Sequence, residues 1–172
     1  EPVPFETLHR FRLEAEVYDL RTLREAIAFA RHVPDASPVH LKLDTGMHRL
    51  GFTAPDLPHL LEALRDPGPL RVASLLSHLA ASEDPQHDDF TRSQIARFTQ
   101  WATAIGEVLG YKPLWHAANS GGISRFPEAH FDMVRLGIGL HGIGVDAAET
   151  AKLRPAATLR TAANMSSGSA LL

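Results

Sequence analysis

Val39-His40-Leu41-Lys42-Leu43-Asp44-Thr45-Gly46-Met47-His48-Arg49-Leu50-Gly51-Phe52 decides the fold. Val39, Leu41 and Leu43 alternate with His40, Lys42 and Asp44, and that period of two predicts a strand. The strand stops at Thr45-Gly46, where glycine permits a backbone conformation other residues avoid, and Arg49 follows in the loop. Two cations and an anion therefore meet at one strand end. In parallel α/β architectures that end binds ligands. An internal ladder of salt bridges is the competing explanation, because ion-pair networks also line barrels.

Outward from this stretch the pattern repeats. Phe11, Leu13, Ala15 and Val17 alternate with charged residues and predict a strand. Asp19 reads as the N-cap of a helix carrying Leu20, Leu23, Ile27 and Ala30, closed by Pro34. Thr53 caps a helix with Leu57, Leu60, Leu61 and Leu64, and Leu70 to Ser77 predicts a strand buried on both faces. Ala80 to Asp89 reads as a polar loop. Ile95, Phe98, Ala102, Ile105 and Leu109 mark a longer helix ended by Gly110. Pro113 to Ala118 and Phe131 to Ile138 predict further strands, and Ala156 to Thr161 begins another. This βαβαβα series, repeating about every 30 residues, is the signature of right-handed parallel crossovers.

Polar residues recur at successive strand ends: Lys42 and Asp44, His78, Ser120 and Arg135. One rim fed by several strands favours a partial (β/α)8 barrel over an open doubly wound sheet. A complete barrel takes about 250 residues. The chain has 172, so it is expected to hold five or six strands of a truncated barrel. Residues 1–161 are expected to form the partial barrel. Residues 162–172, small, polar and serine-rich, read as a disordered tail or cloning scar.

Composition excludes several classes. A net charge of −3 gives no basic field for nucleic acid, and no apolar run approaches a bilayer's thickness. Without cysteine there is no disulfide framework and no thiolate metal site. No secretion-signal pattern is present either, which fits a cytoplasmic protein. The 10 histidines include no His-x-His pair and no His-Glu-x-x-His, so no metal is assigned. Asp44-Thr45-Gly46 is also the tripeptide of aspartic proteases, but those need a second carboxylate and an all-β chain. Asn119-Ser120-Gly121-Gly122 and Gly137-Ile138-Gly139 read either as ordinary turns or as phosphate cradles of backbone N–H groups.

Lys42-Leu43-Asp44-Thr45-Gly46-Met47-His48-Arg49-Leu50-Gly51 resembles the strand and loop of bacterial alanine racemases. The branch fused to the cell-wall UDP-MurNAc-tripeptide D-alanyl-D-alanine ligase is especially similar. Ser77-His78-Leu79-Ala80, Asn119-Ser120, Phe126-Pro127-Glu128 and Asp132 to Ile138 resemble the same family in order and spacing. The resemblance runs from about Phe11 to Thr161. It implies an isomerase that interconverts L- and D-alanine for peptidoglycan on a pyridoxal 5'-phosphate barrel, as a homodimer. A related serine or other amino-acid racemase, and a non-catalytic cofactor-binding or decoy module, stand as alternatives.

What the resemblance implies for residues is specific. Arg135 would face the pyridine nitrogen, with His78 hydrogen-bonding Arg135 to orient it. Asn119, Ser120, Gly137 and Ile138 would hold the phosphate. Arg49 would reach the cofactor's phenolic oxygen and the substrate carboxylate, with the Met47 backbone beside it. Lys42 matches a lysine that many relatives carry as a carbamate, placed to position Arg49. The lysines are Lys42, Lys112 and Lys152, and none has the first-strand context of the family's Schiff-base lysine. Tyr18 and Tyr111 both lie in barrel segments, not in the β domain that donates the opposing base. No catalytic residue is therefore expected in this chain, and the chain alone is expected to be inactive. His48 and His141 depart from the glycine and tyrosine common in relatives.

Overall fold

The computed structural model describes residues 4–33, 35–156 and 158. Four strands run in parallel in the order β1 (Ala15–Val17), β2 (Val39–Lys42), β3 (Val72–Leu76) and β4 (Leu114–His116). Helices α2 (Leu20–His32), α3 (Leu57–Ala63) and α4 (Asp88–Leu109) form the crossovers between them. Strand order equals chain order, so each crossover steps the sheet one strand further in the same direction, as in an arc of barrel.

Alternation along the strands sorts side chains to two faces. Val39 and Leu41 of β2 and Leu75 of β3 join Leu23, Ala26 and Ala30 of α2, Leu60 of α3, and Phe98, Ala102 and Ile105 of α4 in one buried cluster. Each such side chain, taken wholly out of water, contributes roughly 1.5–3 kcal/mol. The alternate positions, Glu16, His40, Lys42, Ser74 and His116, point to the other face. Every polar group of the site hangs from that inner face or from the loops above it.

Local chemistry sets the element ends. Asp19 caps α2, its carboxylate accepting from the Thr22 N–H at 2.8 Å and from the Thr22 hydroxyl at 3.1 Å. The Asp56 carboxylate accepts from the Thr53 N–H and hydroxyl at 2.9 and 2.6 Å, fixing the short 3-10 turn that leads into α3. Gly110 ends α4 at φ +73°. Gly51, at φ +137°, lets the loop after β2 fold back on its own strand. A Cβ there would stand 2.6 Å from the Asp44 nitrogen, and the Phe52 N–H instead reaches the Lys42 carbonyl at 2.8 Å.

The elements differ from the sequence expectation in five places. The first strand begins at Ala15, because α1 (Phe5–Arg10) precedes it and leaves Phe11 and Leu13 exposed. The loop from Ala80 to Asp89 contains a 3-10 turn at Pro85–His87, and α4 starts at Asp88, earlier than its apolar stripe. Ser120 to Arg125, expected as a turn, is the short helix α5.

Phe131 to Ile138 is not a strand. Only the Asp132 and Arg135 N–H groups bond back to β4 and its extension, at the Trp115 and Ala118 carbonyls. Phe131 sits at φ +47°, and the Arg135 guanidinium takes the Ala117 carbonyl that a ladder would need. Among the described residues there are thus four strands, not five or six. Pro34, the greater part of Ala156 to Thr161, and residues 162–172 lie outside the described residues.

Candidate cofactor site

Above the C-terminal ends of the strands lies an open cavity of about 720 Å³, lined among others by His78, Asn119, Ser120, Arg135, Gly137 and Ile138. A second hollow of about 320 Å³, against the inner face of the sheet, takes in Glu16, Lys42 and His116 and shares His78 and Arg135 with the first. Of the five residues expected at one rim, His78 and Arg135 border both hollows, Ser120 the larger and Lys42 the smaller, while Arg49 lines neither. The charge of Arg49 is felt at His78 from the loop after β2.

Arg135 is the most constrained group. One terminal nitrogen donates to His116 Nδ1 and to the His116 carbonyl at 3.1 Å. The other donates to the Ser77 carbonyl and, at 3.4 Å, to the Ala117 carbonyl. Two strand ends thus clamp a single guanidinium. Burial lowers its pKa, yet an arginine remains a cation at any pH where the fold exists. The residue that orients Arg135 is His116. His78, expected in that role, has no hydrogen bond to it among the described residues.

His116, a lone histidine at the end of β4, carries no motif of its own in the sequence. Its place at the inward parity of β4 was the available signal. Burial, with the charge of Arg135 next, pushes its pKa down to about 4, so the imidazole is neutral at physiological pH. His78 is likewise lowered, first by burial and then by Arg135, Arg49 and Lys42, against a small opposing effect of Glu83.

Ser120 opens α5, and its hydroxyl oxygen accepts from the N–H groups of Gly137 and Gly139 at 3.0 and 3.1 Å. Asn119 borders the cavity and spends most of its carboxamide on the loop. Its carboxamide oxygen accepts from the Gly122 N–H and the Ser82 hydroxyl, and its nitrogen donates to the Leu79 carbonyl. Asn119 therefore shapes the loop through its oxygen and one of its two amide hydrogens. With its oxygen accepting from those two N–H groups, the Ser120 hydroxyl has its own hydrogen left, without an acceptor among the described residues, beside open space that suits an anion such as a phosphate monoester. The cavity is of a size normal for a cofactor. The residues present fit pyridoxal phosphate.

Lys42 departs from expectation. Its ammonium donates to Glu16 at 2.9 Å. A carbamate there would set a negative charge against that carboxylate, and no contact between Lys42 and Arg49 occurs among the described residues. Met47 is half-buried in the loop and Arg49 is exposed. Asp44 organises that loop, one carboxylate oxygen accepting from the Gly46 and His48 N–H groups at 3.0 Å each.

Gln94 of α4 went unremarked in the sequence. Wholly buried, it accepts from the Ala80 N–H and donates to the His78 carbonyl and the Thr45 hydroxyl, tying the loops after β2 and β3 to one helix. No group of three or more metal-ligating side chains occurs among the described residues, and no described helix is long and apolar enough to cross a membrane.

Comparison with known proteins agrees with this geometry. The family model described as the alanine racemase N-terminal domain matches residues 1–145. An alanine racemase of Clostridium perfringens is 34% identical over 166 residues, covering 93% of this chain and 42% of the relative. The crystal structure of the Streptomyces lavendulae alanine racemase superposes with a TM-score of 0.79 at 29% identity, over 90% of this chain and 42% of that one. The Bartonella henselae alanine racemase, solved with covalently bound pyridoxal phosphate, superposes at 0.71 with 26% identity, over 81% of this chain and 39% of that one. The chain spans less than half the length of these relatives, and its four-stranded sheet is a partial barrel of their type. From residues 1–145 and from the fold alike, the chain belongs to the alanine racemase family.

Proposed function

We propose that the protein to which this chain contributes interconverts L- and D-alanine with pyridoxal phosphate, and that this chain supplies the cofactor-holding part of the barrel. One observation carries the proposal: Arg135, clamped through both terminal nitrogens, keeps its Nε–H without a partner among the described residues, at the wall of the cavity. That donor is the one left to meet a ring nitrogen. Ser120, with the N–H groups of Gly137 and Ile138, would take the phosphate, and Arg49 on the exposed loop would meet the phenolic oxygen and a substrate carboxylate beside Met47.

When bound, pyridoxal phosphate supplies a conjugated ring that stabilises negative charge at an amino acid's α-carbon. An arginine facing the ring nitrogen withholds a proton from it, because the guanidinium does not give one up. His78, neutral and bordering the cavity, is able to hold or pass a proton there. In the family's setting the parent works as a cytoplasmic homodimer that provides D-alanine for peptidoglycan.

The chain by itself is proposed to be inactive. Lys42 is paired with Glu16 and Lys112 with Asp132 at 2.8 Å, while the Tyr111 hydroxyl bonds the Val72 backbone. Racemisation needs one base on each face of the α-carbon, and neither pairing offers one. The same pairings favour a cofactor-binding module as the second reading. The test is absorbance titration with pyridoxal phosphate plus chiral detection of D-alanine. Saturable binding that Arg135→Leu weakens by about 10- to 100-fold is expected, as for the loss of one charge-assisted hydrogen bond. Enzyme-level turnover with a borohydride-trapped label on Lys42 would reverse the assignment of that lysine.

A further inference from the structure

Five side chains join Glu14 to Arg135 in one unbroken chain of hydrogen bonds across the inner face of the sheet. Glu14 precedes β1, His40 lies on β2, Ser74 on β3 and His116 on β4. The contacts are Glu14 Oε2 to His40 Nε2 at 2.7 Å, His40 Nδ1 to Ser74 Oγ at 2.6 Å, and Ser74 Oγ to His116 Nε2 at 3.0 Å, then His116 Nδ1 to Arg135. The path climbs diagonally. His40 pairs with Glu16 in the β1 register and His116 with Leu76 in the β3 register, so Glu14 and His116 each lie two residues from the level of their neighbour in the path.

The direction of every hydrogen bond follows from one fact, that a guanidinium has no acceptor. Arg135 donates, so His116 Nδ1 must be bare and His116 Nε2 must carry the hydrogen. That hydrogen goes to Ser74 Oγ. The Ser74 hydroxyl hydrogen is then free for His40 Nδ1, and His40 Nε2–H ends on the Glu14 carboxylate. Nε2 of both histidines therefore carries a hydrogen, set by the cation at one end and the anion at the other. The lowered pKa of His116 is consistent with a ring whose Nδ1 cannot accept a proton while Arg135 is in place.

We infer that Ser74, His40 and Glu14 are positioning residues for Arg135, acting at a distance by fixing the tautomer of His116. The inference rests on the proposed role of Arg135 toward the cofactor ring. It goes beyond that role by making the alignment of the guanidinium depend on a serine and a histidine outside the lining of the larger cavity. Ser74 is the sensitive link, since a single hydroxyl serves as both acceptor and donor. Removing it leaves His116 Nε2–H and His40 Nδ1 without their partners together.

The experiment is long-range 15N–1H correlation spectroscopy of the imidazole nitrogens in the full chain, with pyridoxal phosphate affinity measured on the same samples. In the unmodified chain, His116 and His40 should each show a bare Nδ1 and a protonated Nε2. Ser74→Ala should mix the tautomers of both rings and weaken pyridoxal phosphate by about tenfold, the loss of roughly one hydrogen bond at Arg135. Ser74→Thr, which keeps the hydroxyl, should restore pure tautomers and affinity. Mixed tautomers in the unmodified chain, or Ser74→Ala binding as tightly as the unmodified chain, would overturn the inference. If Arg135→Leu leaves affinity unchanged while the tautomers are pure, the role of Arg135 fails and the positioning role falls with it, although the chain of hydrogen bonds itself stands.

Discussion

His116 concentrates the chemistry of the site at the scale of one residue. It is 5% exposed, bonded on both ring nitrogens, and its pKa is lowered from 6.5 to about 4. The unfolded chain therefore binds a proton below pH 6.5 that the folded chain refuses until about pH 4. Stability from this group is complete above pH 6.5 and is lost as pH falls toward 4, by ~3 kcal/mol in all. Urea unfolding at pH 7 and pH 4.5 should show this. His116→Gln should flatten the slope relative to the unmodified chain, and equal slopes would exclude His116 as its source. Arg135, Ser120 and His78 were legible in sequence because motif order placed them at strand ends. His116 and Gln94 were not, because a lone histidine or glutamine carries no spacing signature, and only packing shows what it bonds.

At the scale of elements, α4 does more than cover the sheet. Its apolar stripe buries Phe98, Ala102 and Ile105 in the core, while Gln94 and Arg97 face the loops. Arg97 donates to the Thr45 carbonyl at 2.6 Å. One helix thereby fixes the height of the loop bearing Arg49 and of the loop bearing His78. Gln94→Leu keeps the volume but strands the Ala80 N–H and the His78 carbonyl. It should cost about 2–3 kcal/mol in chemical denaturation and weaken pyridoxal phosphate binding. Wild-type stability in that variant would show that the loops hold themselves. The helices were readable from 3.6-residue periodicity, and Asp19 and Gly110 from capping chemistry. The strand expected at Phe131 to Ile138 does not form because alternation counts side chains only, whereas just the Asp132 and Arg135 N–H groups reach β4 and its extension and the Arg135 guanidinium takes the Ala117 carbonyl.

For the whole molecule, the cavity is also an apolar surface. Leu136, Ile138 and Ile143 are 49%, 55% and 48% exposed around it. β1 is flanked on one side only, so its other edge offers unpaired backbone groups. The chain on its own should bind a hydrophobic dye and self-associate with rising concentration, as read by light scattering behind size exclusion. A dye-silent monomer at high concentration would contradict this. The sequence by itself determined the parallel α/β class, the family and which segments meet at the rim, because periodicity, caps and motif order are local properties that survive without coordinates. Tertiary structure alone decided that Lys42 pairs with Glu16, that His116 and not His78 holds Arg135, and that a one-way chain of hydrogen bonds runs to Glu14. Those facts depend on which side chains of different strands stand within 3 Å of each other. Strand register and crossover packing set such distances, and no spacing along the chain encodes them.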